Sequence, residues 1–534
     1  MSFTIPQPFI SIKEIVKTCA EDEIYSLKLP IYFHSSYIEE LLKTNSTTPR
    51  FIYIARKGQK FDGNNLAKKI LNSGNFFIGE MESIQKIYAS EAQKLFENKL
   101  FISVKSTEQT LNMALEKSFK IQTENFFTIA VTGTNGKTSV TQITANLLQE
   151  LYKENILKIG TLGVQFGNII LPVSHVTTPD YPAFLNILAT AQENNVKKII
   201  LEYTSHGLQE NRLGKWPIDI AIFTNLTQDH LDYHKTMANY RSAKQLLFSQ
   251  CLTKNGTAII NINNNEWEHF INAALGKNRN LIAVGNSKLH AEIKTRYGEN
   301  FNSITFVYIE NTISNLNGIS GKLVVQNLQR IEHQFSCLLI GEFQFENILC
   351  AAGVGIALKF SLEQICGAVS KIQNIPGRLE KIDASQKLLP TVLVDYAHTP
   401  DALEKSIQTC KKTLSPNGKL ITVFGCGGDR DASKRPLMGK IAFEQSHFVV
   451  VTSDNPRTED PNKIIDDIFG DAHETEKHMR ECDRRKAIEK AILLASKNDV
   501  ILVAGKGHED YQIIGTTKYP FSDADVVKSI LEKL

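Results

Sequence analysis

At 534 residues the chain exceeds one ordinary domain, and at about 150 residues each it would hold three or four. It is 42% hydrophobic and 22% charged, with 31 Gly and 16 Pro, which excludes a mainly disordered chain, a collagen-like chain and a disulfide miniprotein. Lys plus Arg number 60 against 57 Asp plus Glu, so a net charge of +3 provides no bulk field toward nucleic acid or membrane. The eight cysteines (Cys19, Cys251, Cys337, Cys350, Cys366, Cys410, Cys426, Cys482) are scattered without a CxxC pair and read as reduced thiols. No run of 18 apolar residues appears, and the N-terminus lacks a basic start followed by an apolar block. The expectation is a cytoplasmic protein without membrane insertion.

Short β-branched runs alternate with helical stretches, which predicts α/β domains with largely parallel sheets. Three blocks are expected, at 1–123, 124–374 and 375–534. The first has a strand candidate at Phe51–Ala55 and a turn at Phe61–Asn64. The second opens with the strand Phe126–Val131, runs into Thr132–Thr138, and continues through strands at Lys198–Leu201 and Ile220–Phe223. Its stretch from about 278 to 335 is polar and strand-like with little helical periodicity, and is expected to be an antiparallel appendage. The third has strands at Thr391–Val394, Leu420–Phe424, Phe448–Val451 and Val500–Val503. Each ends in a polar loop, the pattern of a doubly wound, Rossmann-like sheet that binds ligands at its carboxyl edge.

The sharpest local signal is Gly133-Thr134-Asn135-Gly136-Lys137-Thr138, with Ser139 next. A Gly-rich turn between strand and helix lets backbone N–H groups converge on phosphate. Lys137 would reach the terminal phosphates and the Thr138 hydroxyl would hold Mg²⁺. The spacing departs from the general P-loop pattern, because Val131 stands five residues before Gly136. Glu202 ends the Lys198–Leu201 strand, where a carboxylate can be a second ligand to phosphate-bound Mg²⁺ or simply a solvated side chain. The run Thr224–His234 packs Asp229, His230, Asp232 and His234 together and fits metal ligation or an acidic, capped helix start equally well. Lys244 lies on an amphipathic helix, and spacing alone assigns it no role.

In the third block, Gly425–Arg430 has the form of a ligand-approach loop, and Lys434-Arg435 follows it. Asp454-Asn455-Pro456-Arg457 and Gly505-Lys506-Gly507-His508-Glu509 end neighbouring strands. Together they offer both charge signs, as a zwitterionic amino acid requires: guanidinium for carboxylate, carboxylate for ammonium. From these residues alone the chain reads as an ATP-dependent enzyme joining an acidic substrate to another group.

The ordered set resembles the Mur ligases and, within them, the members that add meso-diaminopimelate to UDP-N-acetylmuramoyl-L-alanyl-D-glutamate. The resemblance runs from Phe126 to the end, through Thr132–Thr138, Thr177-Thr178-Pro179, Glu202–Leu208 with Arg212, Thr224–His234, Gly377-Arg378, Asp395–Pro400, Gly425–Pro436, Asp454–Arg457 and Gly505–Glu509. It implies a three-domain α/β ligase with a central P-loop-type, parallel-sheet ATP domain and a C-terminal Rossmann-like domain. The first block would take the uridine end of the substrate, the second ATP, and the third the incoming amino acid. ATP would convert the D-glutamate γ-carboxylate to an acyl phosphate, which the amine of diaminopimelate attacks in cell-wall precursor synthesis.

The resemblance further implies that Lys244 carries a carbamate formed from CO₂, a modification the residue letters do not encode. Thr138, Glu202, His230 and that carbamate would hold Mg²⁺, with Lys137, Lys244, His230 and Glu202 as the catalytic group. Gly133–Ser139, Asn347, Arg378, Asp395 and His398 would meet ATP. Thr44, Gln59, Lys60, Phe61, Thr177, Thr178, Thr204, Glu210 and Arg212 would meet the UDP substrate. Arg435, Asp454, Asn455, Arg457, Gly505 and Glu509 would form the diaminopimelate pocket, with Arg457 gripping the distal carboxylate that lysine lacks. A monomer is expected.

The first block departs most from relatives: Lys43-Thr44-Asn45 stands where they show Asp-Ser-Arg, and Gln59-Lys60-Phe61 changes a substrate-contacting stretch. Thr204 replaces a frequent Ser, Glu210 a neutral amide, Asn263–Asn265 an acidic pair, and Gln344-Phe345 an Asn-Val. Three alternatives remain: a lysine-adding ligase of the same fold, a folylpolyglutamate or cyanophycin synthetase-like ligase, and a nucleotide-dependent binding protein without turnover.

Overall fold

The computed structural model describes residues 9–10, 28–32, 51–57, 62–171, 177–382 and 389–534. The chain divides into two compact units. One comprises Met1–Phe127, Gly163–Ile199 and Glu210–Trp216; the other comprises Thr128–Leu162, Ile200–Gln209 and Pro217–Leu534.

The first unit contains strands β1 (Phe9–Ile10), β2 (Leu29–Tyr32), β3 (Ile52–Ile54), β4 (Phe76–Gly79) and β5 (Phe101–Ser103), side by side in chain order. β1 and β2 pair antiparallel and the others parallel. The register sets Tyr53 beside Phe77 and Phe77 beside Phe101, and their rings stack at 5.8 and 6.1 Å across the face that forms the core. Two helices, Thr107–Phe119 and Tyr181–Glu193, belong to the same unit. Ser106 and Asp180 start them by accepting from the backbone N–H of Gln109 and Ala183. Trp216 joins the three chain segments by packing against Phe126 and Phe184, at 5.8 and 5.2 Å between ring centres.

The second unit is built on two largely parallel sheets. Its strands include β6 (Phe127–Thr132) and β7 (Leu157–Gly160), after which β8 (Gly163–Phe166) and β9 (Ile169–Leu171) form an antiparallel hairpin of the first unit. Then come β10 (Lys198–Glu202), β11 (Ile218–Phe223), β12 (Leu252–Asn261), β13 (Gly276–Val284), β14 (Phe301–Asn315), β15 (Gly318–Gln326) and β16 (Arg330–Cys337). They run in the order β16-β15-β14-β13-β12-β11-β6-β10-β7. From β6 through β11, β12 and β13 to β14 successive neighbours pair parallel, whereas β14 with β15 and β15 with β16 pair antiparallel. The antiparallel appendage is therefore confined to these last three strands. Helix His290–Tyr297 intervenes between β13 and β14 and allows them to pair parallel, against the expectation of little helix there.

The second sheet contains β17 (Glu380–Ile382), β18 (Thr391–Asp395), β19 (Leu420–Phe424), β20 (Phe448–Val451), β21 (His478–Arg480) and β22 (Val500–Ala504). Its order is β17-β18-β22-β19-β20-β21, with only β17 antiparallel. The strands are apolar on both faces because each face carries a core. One includes Leu403, Met438 and Ile465 from three helices; the other includes Ile488 and Val527 from two. This is the doubly wound arrangement expected of the third block. A separate hairpin, β23 (Tyr511–Ile514) and β24 (Thr517–Pro520), follows.

Candidate active site

The loop 133–136 joins β6 to helix Lys137–Tyr152. Gly133 and Gly136 both have positive φ, and each lies where a side chain would collide. A Cβ on Gly133 would sit 1.9 Å from Thr224 Oγ1, and one on Gly136 would sit 2.8 Å from Asn347 Oδ1. The segment after β11 braces the loop. Thr134 N–H donates to the carbonyl of Asn225 (2.8 Å), Asn135 N–H to Asn225 Oδ1 (2.9 Å), and Thr224 Oγ1 to the carbonyl of Asn135 (2.7 Å). Asn261 in turn holds the Thr224 carbonyl (2.8 Å) while donating to Glu346 (2.8 Å).

Lys137 Nζ donates to the carbonyls of Gly133 (2.9 Å) and Thr134 (2.8 Å). Burial lowers its pKa, opposed by Glu202 and Asp229. Lys244, 1% exposed, is delivered by helix Met237–Leu246 to the same Gly133 carbonyl at 2.7 Å, its ammonium 4.5 Å from the centre of the Tyr240 ring. Burial first, and then Lys137, holds its pKa well below the ordinary lysine value. The helix face carrying Lys244 is thus buried, not solvated.

Glu202 is also 1% exposed. Its carboxylate accepts from Thr138 Oγ1 (3.1 Å), the Thr161 N–H (2.8 Å) and Thr161 Oγ1 (3.1 Å). Gly160 makes room: a Cβ there would come within 2.3 Å of Glu202 Oε1. His230 starts the short helix Leu231–His234 in a left-handed conformation, with φ of 53° and its ring 3.4 Å from Asp229 and 5.0 Å from that of His206. Burial pushes its imidazole down to about 4, helped by His206, Lys137 and Lys244 against the pull of Asp229. His234 is buried against Ser205 Oγ at 2.9 Å. Ser139 is buried in the first turn of helix Lys137–Tyr152.

Residues of the third block reach the same loop. Arg378 donates to Thr138 Oγ1 (3.2 Å) and lies over the Tyr396 ring at 4.7 Å. Asn135 Nδ2 donates to Asp401 (3.2 Å). Asn347 donates to Gln344 Oε1 (2.8 Å). Asp395 is turned inward, accepting from Ser406 Oγ (2.6 Å) and the Leu379 N–H (3.1 Å), and burial raises its pKa. His398 Nδ1 lies 2.9 Å from the Tyr396 carbonyl.

At the carboxyl ends of β20 and β22 the amino-acid cluster assembles, although these strands are not neighbours as expected but flank β19 on either side. Asn455 Nδ2 donates to Glu509 Oε2 (2.8 Å), and Arg457, with φ of 51°, donates through Nη1 to the Gly428 carbonyl (2.8 Å). A Cβ on Gly505 would meet Asp454 Oδ2 at 2.6 Å. Arg435, expected in the diaminopimelate pocket, is instead turned onto acidic partners of the fold. It is 2% exposed, and its fork is spent on Glu459 (2.9 Å to each oxygen) and Asp467 (2.7 Å). Glu459 also accepts from the Asp429 N–H, so Arg435 braces the loop 427–430. Arg430 on that loop is exposed.

Of the residues expected to meet the UDP substrate, Thr44, Gln59, Lys60 and Phe61 lie outside the described residues. In the first unit, Arg212 donates to Glu210 (2.9 Å) and to the carbonyl of the buried Thr178 (3.0 Å), and Thr177 is half-buried next to it. In the second, Thr204 Oγ1 accepts from the Gly207 N–H (3.1 Å) and starts helix Ser205–Gln209.

Sequence reasoning passed over Thr161, Tyr240, Lys506 and Arg484. Thr161 lies 41 residues before Glu202 with no pattern around it, whereas Lys506 sits within the strand-end run Gly505–Glu509. Arg484 and Asp523 form a wholly buried pair with two 2.7 Å contacts. The guanidinium also reaches the carbonyls of Ser453 (3.4 Å) and Ala504 (2.9 Å), immediately before Asp454 and Gly505.

The Mur ligase middle domain matches residues 131–355, and the Mur ligase, glutamate ligase domain matches residues 377–507. The UDP-N-acetylmuramoyl-L-alanyl-D-glutamate--2,6-diaminopimelate ligase of Aquifex aeolicus is 37% identical over 492 residues, 92% of each chain. The ligase of the same name from Rickettsia typhi is 37% identical over 498 residues, covering 92% of this chain and 93% of the relative. A solved structure of a ligase of that name superposes with a TM-score of 0.61 at 27% identity, covering 98% of this chain and 99% of its own. Two matched domains in the right order, and relatives aligned over nearly the full length, establish that the chain belongs to the Mur ligase family.

Proposed function

We propose that the chain is the ATP-dependent ligase that adds meso-diaminopimelate to the D-glutamate γ-carboxylate of UDP-N-acetylmuramoyl-L-alanyl-D-glutamate. The observation that carries this reading is the Arg457 guanidinium, which among the described residues is anchored through Nη1 alone, beside the Asn455–Glu509 pair. An anchored fork with a free edge suits a carboxylate, and Glu509 suits the ammonium next to it. The names of the relatives agree with that substrate. Arg430, exposed on the loop that Arg435 braces after β19, is a second guanidinium at the carboxyl edge of the sheet.

In this reading, the block 1–123 holds the uridine end with help from Thr177, Thr178, Thr204, Glu210 and Arg212. The block 124–374 holds ATP on the loop 133–138, and 375–534 brings the amino acid. The γ-carboxylate oxygen attacks the terminal phosphorus of ATP, displacing ADP and giving an acyl phosphate. The diaminopimelate amine, as the free base, adds to the acyl carbon, and the tetrahedral intermediate loses inorganic phosphate to leave the amide. Lys137 moves from the carbonyls of Gly133 and Thr134 to the phosphates, countering the charge of the transferring group, and Arg378 supports it from the other sheet. Asn347 and His398 line the nucleoside end, and Asp395 serves it from inside the fold by fixing Leu379 next to Arg378.

Mg²⁺ suits the oxygen donors Thr138 and Glu202, which are 3.1 Å apart. Among the described residues no three His, Cys, Asp or Glu form a metal cluster, so phosphate oxygens and water would complete its shell, with His230 and a carbamate on Lys244. When bound, the ion supplies charge neutralisation on the phosphates. Burial of Lys244 supports carbamylation, because CO₂ adds only to the neutral amine, and an ordinary lysine with a pKa of about 10.4 is protonated near neutrality. No helix among the described residues is long and apolar enough to cross a membrane. The reading places the chain in the cytoplasm, as a monomer.

The test is phosphate release with ATP and UDP-N-acetylmuramoyl-L-alanyl-D-glutamate, comparing meso-diaminopimelate with L-lysine at equal concentration. Strong preference for diaminopimelate upholds the reading. Preference for lysine overturns the amino-acid assignment, and no turnover with either overturns the activity.

A further inference from the structure

Lys506 is wholly buried, yet nothing in the chemistry above uses it. It follows Gly505 at the end of β22, and its ammonium lies 3.0 Å from Glu509 Oε2, 3.3 Å from Asn455 Oδ1 and 5.6 Å from the centre of the Tyr511 ring. Hydrogen-bond bookkeeping fixes how these groups face one another. Asn455 Oδ1 also accepts from the Ile513 N–H (2.9 Å) in the β23–β24 hairpin. With two donors on its oxygen, the Asn455 amide must turn Nδ2 toward Glu509, where it donates to Oε2 at 2.8 Å. Glu509 Oε2 therefore receives two donors, one charged, and is held from within. Among the described residues Oε1 has no such partner, while the Glu509 side chain is 16% exposed against 0% for Lys506.

We propose that Lys506 is a positioning residue for amino-acid selection: with Asn455 it locks one carboxylate oxygen of Glu509 so that the other is presented to the ammonium of the incoming amino acid. Two donors on one oxygen of a carboxylate, one of them a buried cation, remove its freedom to rotate. The substrate ammonium then meets a fixed acceptor, and recognition does not lose the entropy of ordering a free glutamate. The hairpin belongs to the device, because without the Ile513 N–H the Asn455 amide could flip and offer Oε2 its oxygen.

This inference rests on the ligase reading, and the experiment separates their failures. Rates are measured on the full chain with each of the three substrates varied in turn, for the wild type, Lys506→Met, Glu509→Gln and the double variant. Lys506→Met is expected to raise KM for diaminopimelate by about tenfold to hundredfold, the span of a charge-assisted hydrogen bond. KM for ATP and for the UDP substrate should stay within about twofold, the difference between neighbouring preparations rather than a lost contact. In the Glu509→Gln background the added Lys506→Met change should nearly vanish, because the group it positions is already altered. Equal rises in all three KM values, or additive effects in the double variant, would overturn the inference while leaving the ligase intact. A wild type without turnover would overturn the function reading first. Asn455→Ser, carried through the same cycle with Glu509→Gln, reads the clamp from its other donor if Lys506→Met does not fold; additivity there overturns it equally.

Discussion

Lys137 and Lys244 donate to one and the same oxygen, the carbonyl of Gly133, at 2.9 and 2.7 Å. Two ammonium groups on one acceptor repel each other, and burial makes that repulsion more costly. The pair is relieved if one of them loses its proton. Lys244 is the buried partner and its pKa is held well below the ordinary value. Conversion of its amine to an anionic carbamate turns the repulsion into attraction. Activity should therefore fall in buffer stripped of CO₂ and return with bicarbonate, while Lys244→Ala should be low and indifferent to bicarbonate. Activity independent of CO₂ would remove the carbamate from the mechanism.

Lys137→Met should fold normally, since its two acceptors are loop carbonyls that water can satisfy. Its kcat is expected to fall by about 100-fold or more, the scale of removing one charge-stabilising donor. Stopped assays with saturating substrates check this, and an effect on KM for ATP alone would assign Lys137 to binding only.

Arg457→Ala should reduce kcat/KM for diaminopimelate by about 1.5–3 kcal/mol, the range of a charged hydrogen bond. L-lysine, lacking the distal carboxylate, should lose little. Competition between the two amino acids measures the discrimination directly, and an equal loss for both would remove Arg457 as the selector.

The Arg484–Asp523 pair is 0% exposed on both sides. Removing one partner strands a buried charge, so Asp523→Ala should cost about 3–5 kcal/mol, whereas replacing both by apolar residues of matching volume should recover most of that. Denaturant unfolding reports the stabilities. Because Arg484 also holds the carbonyls before Asp454 and Gly505, the stable double variant should still show a raised KM for the amino acid.

Burial and the nearby Arg378 push His508 down to about 4 from 6.5. The folded state keeps it neutral while the unfolded chain takes up a proton first, so stability is full above about 6.5 and declines as pH falls toward 4. His508→Gln should flatten this part of the acid limb. Thermal unfolding at pH 7.5, 5.5 and 4.5 tests it, with a limb as steep as the wild type counting against His508.

The strand-end loops were legible because runs such as Leu420–Phe424 and Val500–Val503 are almost wholly apolar and β-branched and give way to Gly within two residues, leaving little freedom in where the sheet edge falls. Loop 133–138 was legible for the same reason. Pairings made by the fold were not. Arg435 reads as a free cation in the sequence, yet its partners Glu459 and Asp467 lie 24 and 32 residues away on the far side of β20. Lys244 shows the converse, for a lone lysine on an amphipathic helix gives no sign that its face is buried. Helix His290–Tyr297 escaped notice because Ile293 and Tyr297 are its only buried side chains, too few to set a helical period.

β16 ends the large sheet, and Arg330 to Gln334 along it are exposed. Lys322, Glu332, Arg330 and Glu310 form a chain of ion pairs across β14, β15 and β16, each between 2.8 and 2.9 Å. Charged side chains along an edge strand disfavour its pairing with a strand from another molecule. The appendage thus closes a long run of parallel strands with a border unfavourable to further pairing, and neutralising Arg330 and Glu332 together is expected to lower that barrier.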